Sequence, residues 1–476
     1  MSKPSLLQQV RGSLTNFEPL TEKNLAKLAQ EDLTLAQIRE MFESAGLDAG
    51  KIIVAPDRVI CNAYYADYES GLYFEIWLSR KGIQPQCERM RVRLKNGAGS
   101  RFLEKREWKS FYCIDVPTPL RIMDFQKRYR TIEPERVFEV WAYIHQNMDY
   151  VNGQWKPEVL KYVFDHAPKV EGLPVNENGM VTLYRGSGTL SQRPEEALSW
   201  TTNRINALWF ANHNGMGQAV YQAEIPADKV IAYFAGYQNE NEIVVYPNTV
   251  VNIRTLDMFP VKKELVEKLL VPALPDFLRY GPLVQIFGYP SEGIFNFHGK
   301  NHILRVLLLS LMYFYNSGEK LNQQDKEILI YFSLLHDIGR TNDHEDDSHG
   351  KKSVRYIEEN NVEVPEIKLS GRDKELAHLI IRYHSRPDED GYAAIKAKRK
   401  LSREGLERCR LLLDICKDMD GLDRVRFHGL DFAMLRTDYA KKLPLIAGAL
   451  LEENIEEFLK KNGEKPFEHG KEENNG

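Results

Sequence analysis

Residues 333–350 run SLLHDIGRTNDHEDDSHG. An apolar run closes on His336 and Asp337, and more imidazole and carboxylate groups follow at once. Eight of the twelve histidines fall between His298 and His428, so imidazole is concentrated around this acidic segment. Such groups are costly to bury unless they are paired or hold a metal. Imidazole and carboxylate together suit a divalent ion such as Mn, Fe, Co, Ni or Mg. A structural zinc site would ordinarily use cysteine, and none lies nearby.

The elements that would position these groups are helical by their 3.6-residue periodicity. HILRVLLLSLMYF carries His302 at its start, and EILIYFSLLHDIG is a nearly all-apolar helix that must be buried. The latter stops at Gly339, as helices often stop at glycine. LAHLIIRYHSRP carries His384 ahead of a proline. In RLLLDICKDMDGLDRVRF the buried stripe is Ile415, Met419 and Leu422. Asp418 and Asp420 are two positions apart, about 200° around a helix, so both cannot face one ion. Asp420, beside Met419, is the expected ligand.

The order His302, His336–Asp337, Asp420, with HGKNHILRV and LLHDIGR around the first three, resembles the HD-domain metal-dependent phosphohydrolases. The resemblance covers Phe295 to Phe427. It implies that His302, His336, Asp337 and Asp420 hold one divalent ion. In two-metal members His349 and His384 would add a second, with Asp337 bridging both and central to catalysis. Such ions acidify water and hold phosphoryl oxygens for in-line attack. Arg340, next to the HDIG turn, could orient a phosphate or equally serve as a helix-capping or surface residue. Asp343, His344, Glu345, Asp346 and Asp347 are expected to be mostly solvated loop charges.

A second group of chemical residues lies in the strand-rich middle, in VTLYRGSG, LSWTTNRINALWFA and NENEIVVYP. Arg185 ends a strand. Ser199, Trp200 and Thr201 enter an extended piece before a helical pattern, and Glu242 opens EIVVYP two residues after Glu240. AVYQAEI alternates between them, with Ala219, Tyr221, Ala223 and Ile225 on one face. In this order, with their LYRG and A-x-x-FA contexts, they resemble the R-S-E class of ADP-ribosyltransferases over residues 180–247. A tryptophan inside the Ser-x-Thr motif departs from that pattern. The resemblance implies NAD as substrate, with Arg185 contacting its phosphate or ribose through a fork of donors. Ser199 and Thr201 would shape the nicotinamide pocket, Glu242 would stabilise the oxocarbenium-like ribose, and Glu240 would activate the acceptor. Tyr237 would be a target-recognition aromatic, and a Glu-x-Glu pair implies arginine acceptors.

The remaining text frames these two groups. The chain has 476 residues, 43% hydrophobic and 28% charged, with a formal charge of −4. That length allows two or three cores, and that charge offers no global case for nucleic-acid or membrane binding. Cys61, Cys87, Cys113, Cys409 and Cys416 form no C-x-x-C pair and are odd in number, which favours reduced thiols. The N-terminus lacks the apolar run of a secretory signal, and ILRVLLLSLMYF is too short to cross a bilayer. KIIVAP, RVICNAYYA, GLYFEIWLS and WKSFYCIDV have the β-branched and aromatic content of strands. ERVFEVWAYIHQNM and EVLKYVFDHA are helical patterns.

The expected fold class is α+β multidomain. Residues 1–122 form a strand-rich N-terminal module, 123–262 an ADP-ribosyltransferase-like mixed α/β domain, 263–462 an all-α HD domain, and 463–476 a disordered polar tail. The expected function couples ADP-ribosyl transfer from NAD to hydrolysis of a phosphoester or phosphoanhydride, such as the pyrophosphate of attached ADP-ribose. Certain bacterial effectors pair such activities. The alternative is an HD phosphohydrolase with a non-catalytic NAD-like ligand-binding domain, or a regulatory scaffold. Expected partners are NAD and a phosphorylated small molecule or an ADP-ribosylated protein, with no membrane. Localisation is expected to be cytoplasmic, in the producing cell or in a host reached by secretion, for which the glutamates of LLEENIEEFLKK offer a signal.

Overall fold

The computed structural model describes residues 17–28, 33–55, 63–95, 100–148, 154–213, 217–236, 240–287, 298–340, 346–398, 401–427 and 429–452. Tyr237, the loop residues Asp343, His344 and Glu345, Cys61, the glutamate-rich stretch after Glu452 and the tail 463–476 lie outside them. Helices of eight residues or more are numbered below.

Strands β1 (Glu18–Pro19), β2 (Ile52–Val54), β3 (Ala63–Asp67) and β4 (Leu72–Glu75) form an antiparallel sheet in chain order. Helices α1 (Leu35–Ser44) and α2 (Arg80–Lys95) bury Ile38, Phe42, Ile83 and Met90 against Ile52, Val54 and Tyr65 of that sheet. Helix α1 opens on a reciprocal cap between Thr34 and Gln37, which satisfies two amide donors that the helix itself cannot.

WKSFYCIDV is not a strand. A helical turn, Trp108–Ser110, runs into a π-helical stretch, Phe111–Asp115. Trp108, Phe111, Tyr112, Asp115 and Val116 are buried while Cys113 and Ile114 face solvent. That spacing of three and four is a helix's apolar face, and strand alternation would have buried a different set. Helices α3 (Arg121–Arg128), α4 (Pro134–Gln146) and α5 (Pro157–Asp165) follow. They share one core with Tyr64 and Tyr73 of the first sheet and with Ala232 and Val244 of the second.

The second sheet is antiparallel throughout, in the order β10-β7-β5-β6-β9-β8. Its strands are β5 (Met180–Gly188), β6 (Ser199–Thr201), β7 (Gly217–Pro226), β8 (Val230–Phe234), β9 (Glu242–Val245) and β10 (Val251–Thr255). Helix α6 (Arg204–His213) crosses β5 at Gly186. A Cβ there would lie 1.8 Å from the Ala207 carbonyl and 2.4 Å from the Ala211 nitrogen, so only glycine admits the crossing.

The rest is helical: α7 (Lys263–Leu270), α8 (Lys300–Asn316), α9 (Gln323–Leu335), α10 (His349–Glu359), α11 (Gly371–Tyr383), α12 (Asp388–Lys396), α13 (Arg403–Leu422) and α14 (Pro444–Glu452). One apolar cluster runs through this bundle and takes in Ala207, Leu208 and Ala211 of α6 and Val220 of β7. Cys87, Cys113, Cys409 and Cys416 are free thiols. Among the described residues no helix is long and apolar enough to cross a membrane.

Candidate functional site

Helix α9 is buried from Ile328 to Leu335 and delivers His336 and Asp337 into the interior at its C-terminal end, 0% and 2% exposed. Gly339 does not close this helix through a left-handed cap, since its φ is not positive. It is required for a different reason. A Cβ there would lie 2.4 Å from the Ser353 nitrogen, and the Gly339 amide donates to Ser353 Oγ at 3.0 Å. The missing side chain lets α10 lie against the turn and carry His349 inward. Helices α8, α11 and α13 bring His302, His384 and Asp420 to the same place.

The histidines form two facing pairs. His302 Nε2 is 3.1 Å from His336 Nε2, and His349 Nε2 is 2.8 Å from His384 Nε2. Each Nδ1 faces only an acceptor: a carboxylate oxygen of Asp423 for His302, carbonyls of Phe332 and Ser333 for His336, of Asp346 for His349 and of Ile381 for His384. Every Nδ1 therefore carries a proton, and each ring turns its Nε2 into the centre. Lone pairs at such distances repel unless a cation lies between them.

The carboxylates complete two ligand sets. Asp420 Oδ1 is 3.4 Å from His302 Nε2 and 3.7 Å from His336 Nε2, and Asp337 Oδ2 is 3.7 and 3.8 Å from the same atoms. Asp337 Oδ1 faces the other pair, 3.3 Å from His349 Nε2 and 3.9 Å from His384 Nε2. That oxygen is buried without a hydrogen bond. Ligands about 2.1 Å from a shared ion sit roughly 3–3.5 Å apart. Two groups, His302–His336–Asp420 and His336–Asp337–His384, could each hold an ion. The donor set and its orphaned lone pairs fit divalent metal.

The electrostatics agree. Burial, reinforced by Arg426, pushes His302 down to about 4, although Asp423 and Asp420 pull the other way. Burial, with His349 and His336, pushes His384 down to about 3. Both rings are neutral near pH 7, as metal ligands must be. Burial alone would raise Asp337 and Asp420, but the surrounding imidazoles outweigh it, aided at Asp337 by Arg340. Asp420 falls to about 2 and Asp337 lies well below the usual carboxylate range.

Two neighbours, Asp423 and Arg340, touch these groups directly. Asp423, 1% exposed, was not singled out from the sequence. It accepts from His302 Nδ1 at 2.7 Å, from Arg305 Nη2 at 3.0 Å and from Arg426 Nη1 at 2.8 Å. The Arg340 side chain is 7% exposed and ion-paired to Asp337 Oδ1 at 3.3 Å, so it faces the centre and not the surface. Asp418 turns away from the centre, where its carboxylate accepts from the Arg436 guanidinium and from the amides of Arg436 and Thr437.

A second polar cluster forms on the six-stranded sheet. β5, β6 and β9 are neighbours, with Tyr184 opposite Thr201, Thr201 opposite Glu242 and Ser199 opposite Val244. Arg185 Nη1 donates to the Ser199 carbonyl at 2.6 Å, and Arg185 Nε has no hydrogen-bond partner. Thr201 Oγ1 donates to the Glu240 carbonyl at 2.6 Å and accepts from the Asn203 amide, which anchors the loop before β9 and occupies the hydroxyl. Glu240 and Glu242 flank Asn241, whose φ of 49° is a left-handed conformation that asparagine tolerates. Burial would raise Glu242, but His145, Ser199 and Arg185 together hold it below its ordinary value. Burial pushes Arg185 down to about 10. His145, on α4, touches both Ser199 and Glu242 and was not anticipated. It lies outside the segment that carries the resemblance, in an apolar helix that looks like plain core.

No curated protein and no solved structure matches the chain. Residues 299–425 match the HD domain family model, a span that contains His302, His336, Asp337, His349, His384, Asp420 and Asp423. The chain carries an HD domain in its helical C-terminal region, which supports a metal-dependent hydrolase.

Proposed function

We propose that the chain is a bifunctional enzyme. Residues 263–462 hydrolyse a phosphoester or phosphoanhydride, and residues 123–262 transfer ADP-ribose from NAD, whose product the hydrolase then processes. Divalent ions at His302, His336, Asp337, Asp420, His349 and His384 would supply Lewis-acid activation of water and phosphoryl oxygens. The chain's own residues do the rest. Asp337 offers one oxygen to each ligand pair, Arg340 holds that carboxylate in place, and Asp423 keeps the His302 proton on Nδ1.

One observation carries the transferase half: Arg185, Ser199 and Glu242 come from three neighbouring strands and share one cluster. Glu242, held ionised, provides negative charge for a ribosyl carbon that turns positive as nicotinamide leaves. Arg185, with Nε unengaged, keeps a donor for a phosphate or ribose oxygen. A second reading, a non-catalytic NAD-binding module beside the hydrolase, draws on Thr201, whose hydroxyl is committed to the backbone of Glu240 and Asn203.

The test uses adenine-labelled NAD with purified protein and cell lysate, with and without Mn, for wild type, Glu242→Gln and Asp337→Asn. Label on a protein band that needs Glu242 supports transfer, and more label in Asp337→Asn supports processing by the HD centre. No label and no NAD loss under any condition would end the transferase reading and leave the hydrolase with its binding module.

A further inference from the structure

Helix α4 ends in the sequence WAYIHQ, and its last turn is buried through Trp141, Ile144 and His145. The His145 ring lies flat on Trp141, with centroids 4.7 Å apart and planes 19° from parallel. The stack leaves the edge carrying Nε2 pointing at the six-stranded sheet. There Nε2 is 3.0 Å from Glu242 Oε1 and 3.1 Å from Ser199 Oγ. A histidine needed only for packing could be any flat apolar ring. This one meets Glu242 and Ser199, the carboxylate and the serine that the proposed transfer sets beside the ribosyl carbon.

The hydrogen bonding has a direction. Glu242 is held ionised and can only accept, so the proton on Nε2 must point at it. Nδ1 is buried and has no partner. A buried polar atom left unpaired is a cost that a purely structural residue would shed. Phenylalanine or leucine would fill the space without it.

We propose that His145 is a positioning residue of the transferase. Its Nε2–H fixes the Glu242 carboxylate beside Ser199, so that the negative charge faces the ribosyl carbon before NAD binds. The inference rests on the transferase reading above. The helix that supplies it lies outside the segment carrying Arg185, Ser199 and Glu242, and Val244 of β9 shares a core with that helix.

The experiment compares steady-state NAD cleavage by wild type, His145→Phe, His145→Gln, Glu242→Gln and the His145→Phe/Glu242→Gln double variant of the full chain. Phenylalanine keeps the stack on Trp141 and removes the donor, whereas glutamine restores an N–H. A hydrogen bond to a charged group is worth about 10–100-fold in rate when it acts in the transition state. His145→Phe should therefore lose about that factor in kcat with little change in KM for NAD, at an unfolding midpoint near wild type. His145→Gln should recover most of the loss, and the double variant should be no worse than Glu242→Gln alone. Wild-type kcat in folded His145→Phe, or additive losses in the double variant, would overturn the proposal while leaving the transferase intact. No NAD cleavage by wild type would remove both. Should His145→Phe fail to fold, His145→Gln against His145→Met makes the same comparison, since the two differ in the donor but little in length.

Discussion

Asp423→Asn tests the metal centre through a residue that binds no metal. Asparagine keeps the shape of aspartate but replaces one acceptor oxygen by an NH2 donor. In the folded chain both oxygens accept, Oδ2 from His302 Nδ1, Arg305 and Arg426, and Oδ1 from Arg305. The amide must set its NH2 against an arginine or against His302 Nδ1. In the second case the imidazole proton moves to Nε2 and the lone pair that faces the centre is lost. Removing such an outer partner weakens metal binding by about 10–100-fold, or about 1.4–2.7 kcal/mol. Uncovering the two buried arginines adds a folding cost of about 3–5 kcal/mol, so affinity and stability have to be measured separately. The assay is calorimetric titration of chelator-stripped protein with Mn at a temperature where each variant is folded, alongside urea unfolding. Asp418→Asn is the comparison. It lies on α13, whose C-terminal end Asp423 caps, is fully buried and pairs with Arg436 and Thr437, so it should lose stability with little change in Mn affinity. Wild-type Mn affinity in Asp423→Asn would refute the claim that this carboxylate sets the His302 tautomer.

Chelation should lower the thermal midpoint of the wild-type chain. Restoring Mn at about 100 times its dissociation constant should return about 2.7 kcal/mol, and identical melts with and without chelator would contradict a metal centre. The chelated protein should also weaken as pH falls below about 6.5. His302 and His384 titrate near 4 and 3 when folded and near 6.5 when unfolded, so between those values the unfolded chain binds more protons. A urea midpoint that stays flat from pH 7 to 5 would refute that. Gly339→Ala should push α10 from the HDIG turn, with a loss of about 1–3 kcal/mol from overpacking and weakened Mn binding. Gly186→Ala should do similar damage between β5 and α6, and unchanged unfolding curves for either variant would count against the close contacts.

His302, His336, Asp337, His384 and Asp420 were legible because each sits near the end of an apolar helix, where an ionisable group stands out, whereas His349 opens a polar helix and was named only through the family resemblance. Asp423 escaped notice as one acid among Asp414, Asp418 and Asp420. Its signal was present all the same: it follows Asp420 by three residues, and Arg426 follows it by three, the spacing of helical neighbours. His145 left no such mark, because its role depends on a strand pairing about a hundred residues away. The segment 108–116 misled for a local reason. Its aromatic and β-branched content suits a strand, and only the exposure of Ile114 opposite buried Asp115 distinguishes a helical face. Gly339 was recognised as significant but for the wrong cause, since contact with a helix that begins ten residues later is invisible to any local rule.

Helix α6 follows directly on Ser199–Thr201, and its other side packs on α14. A Cβ on Gly448 would fall 2.3 Å from Asn212 Nδ2, and Leu445 meets Gly217 at the start of β7. Helix α6, which covers β5 within the strands of residues 185–242, is therefore itself backed by residues 444–452. A ribosome synthesising this chain releases those strands some two hundred residues before it releases their support, at about 5–20 residues per second. For roughly ten seconds or more the nascent sheet keeps an uncovered apolar helix. The helix that covers β5 gains its own backing only after the helices of the HD domain have emerged.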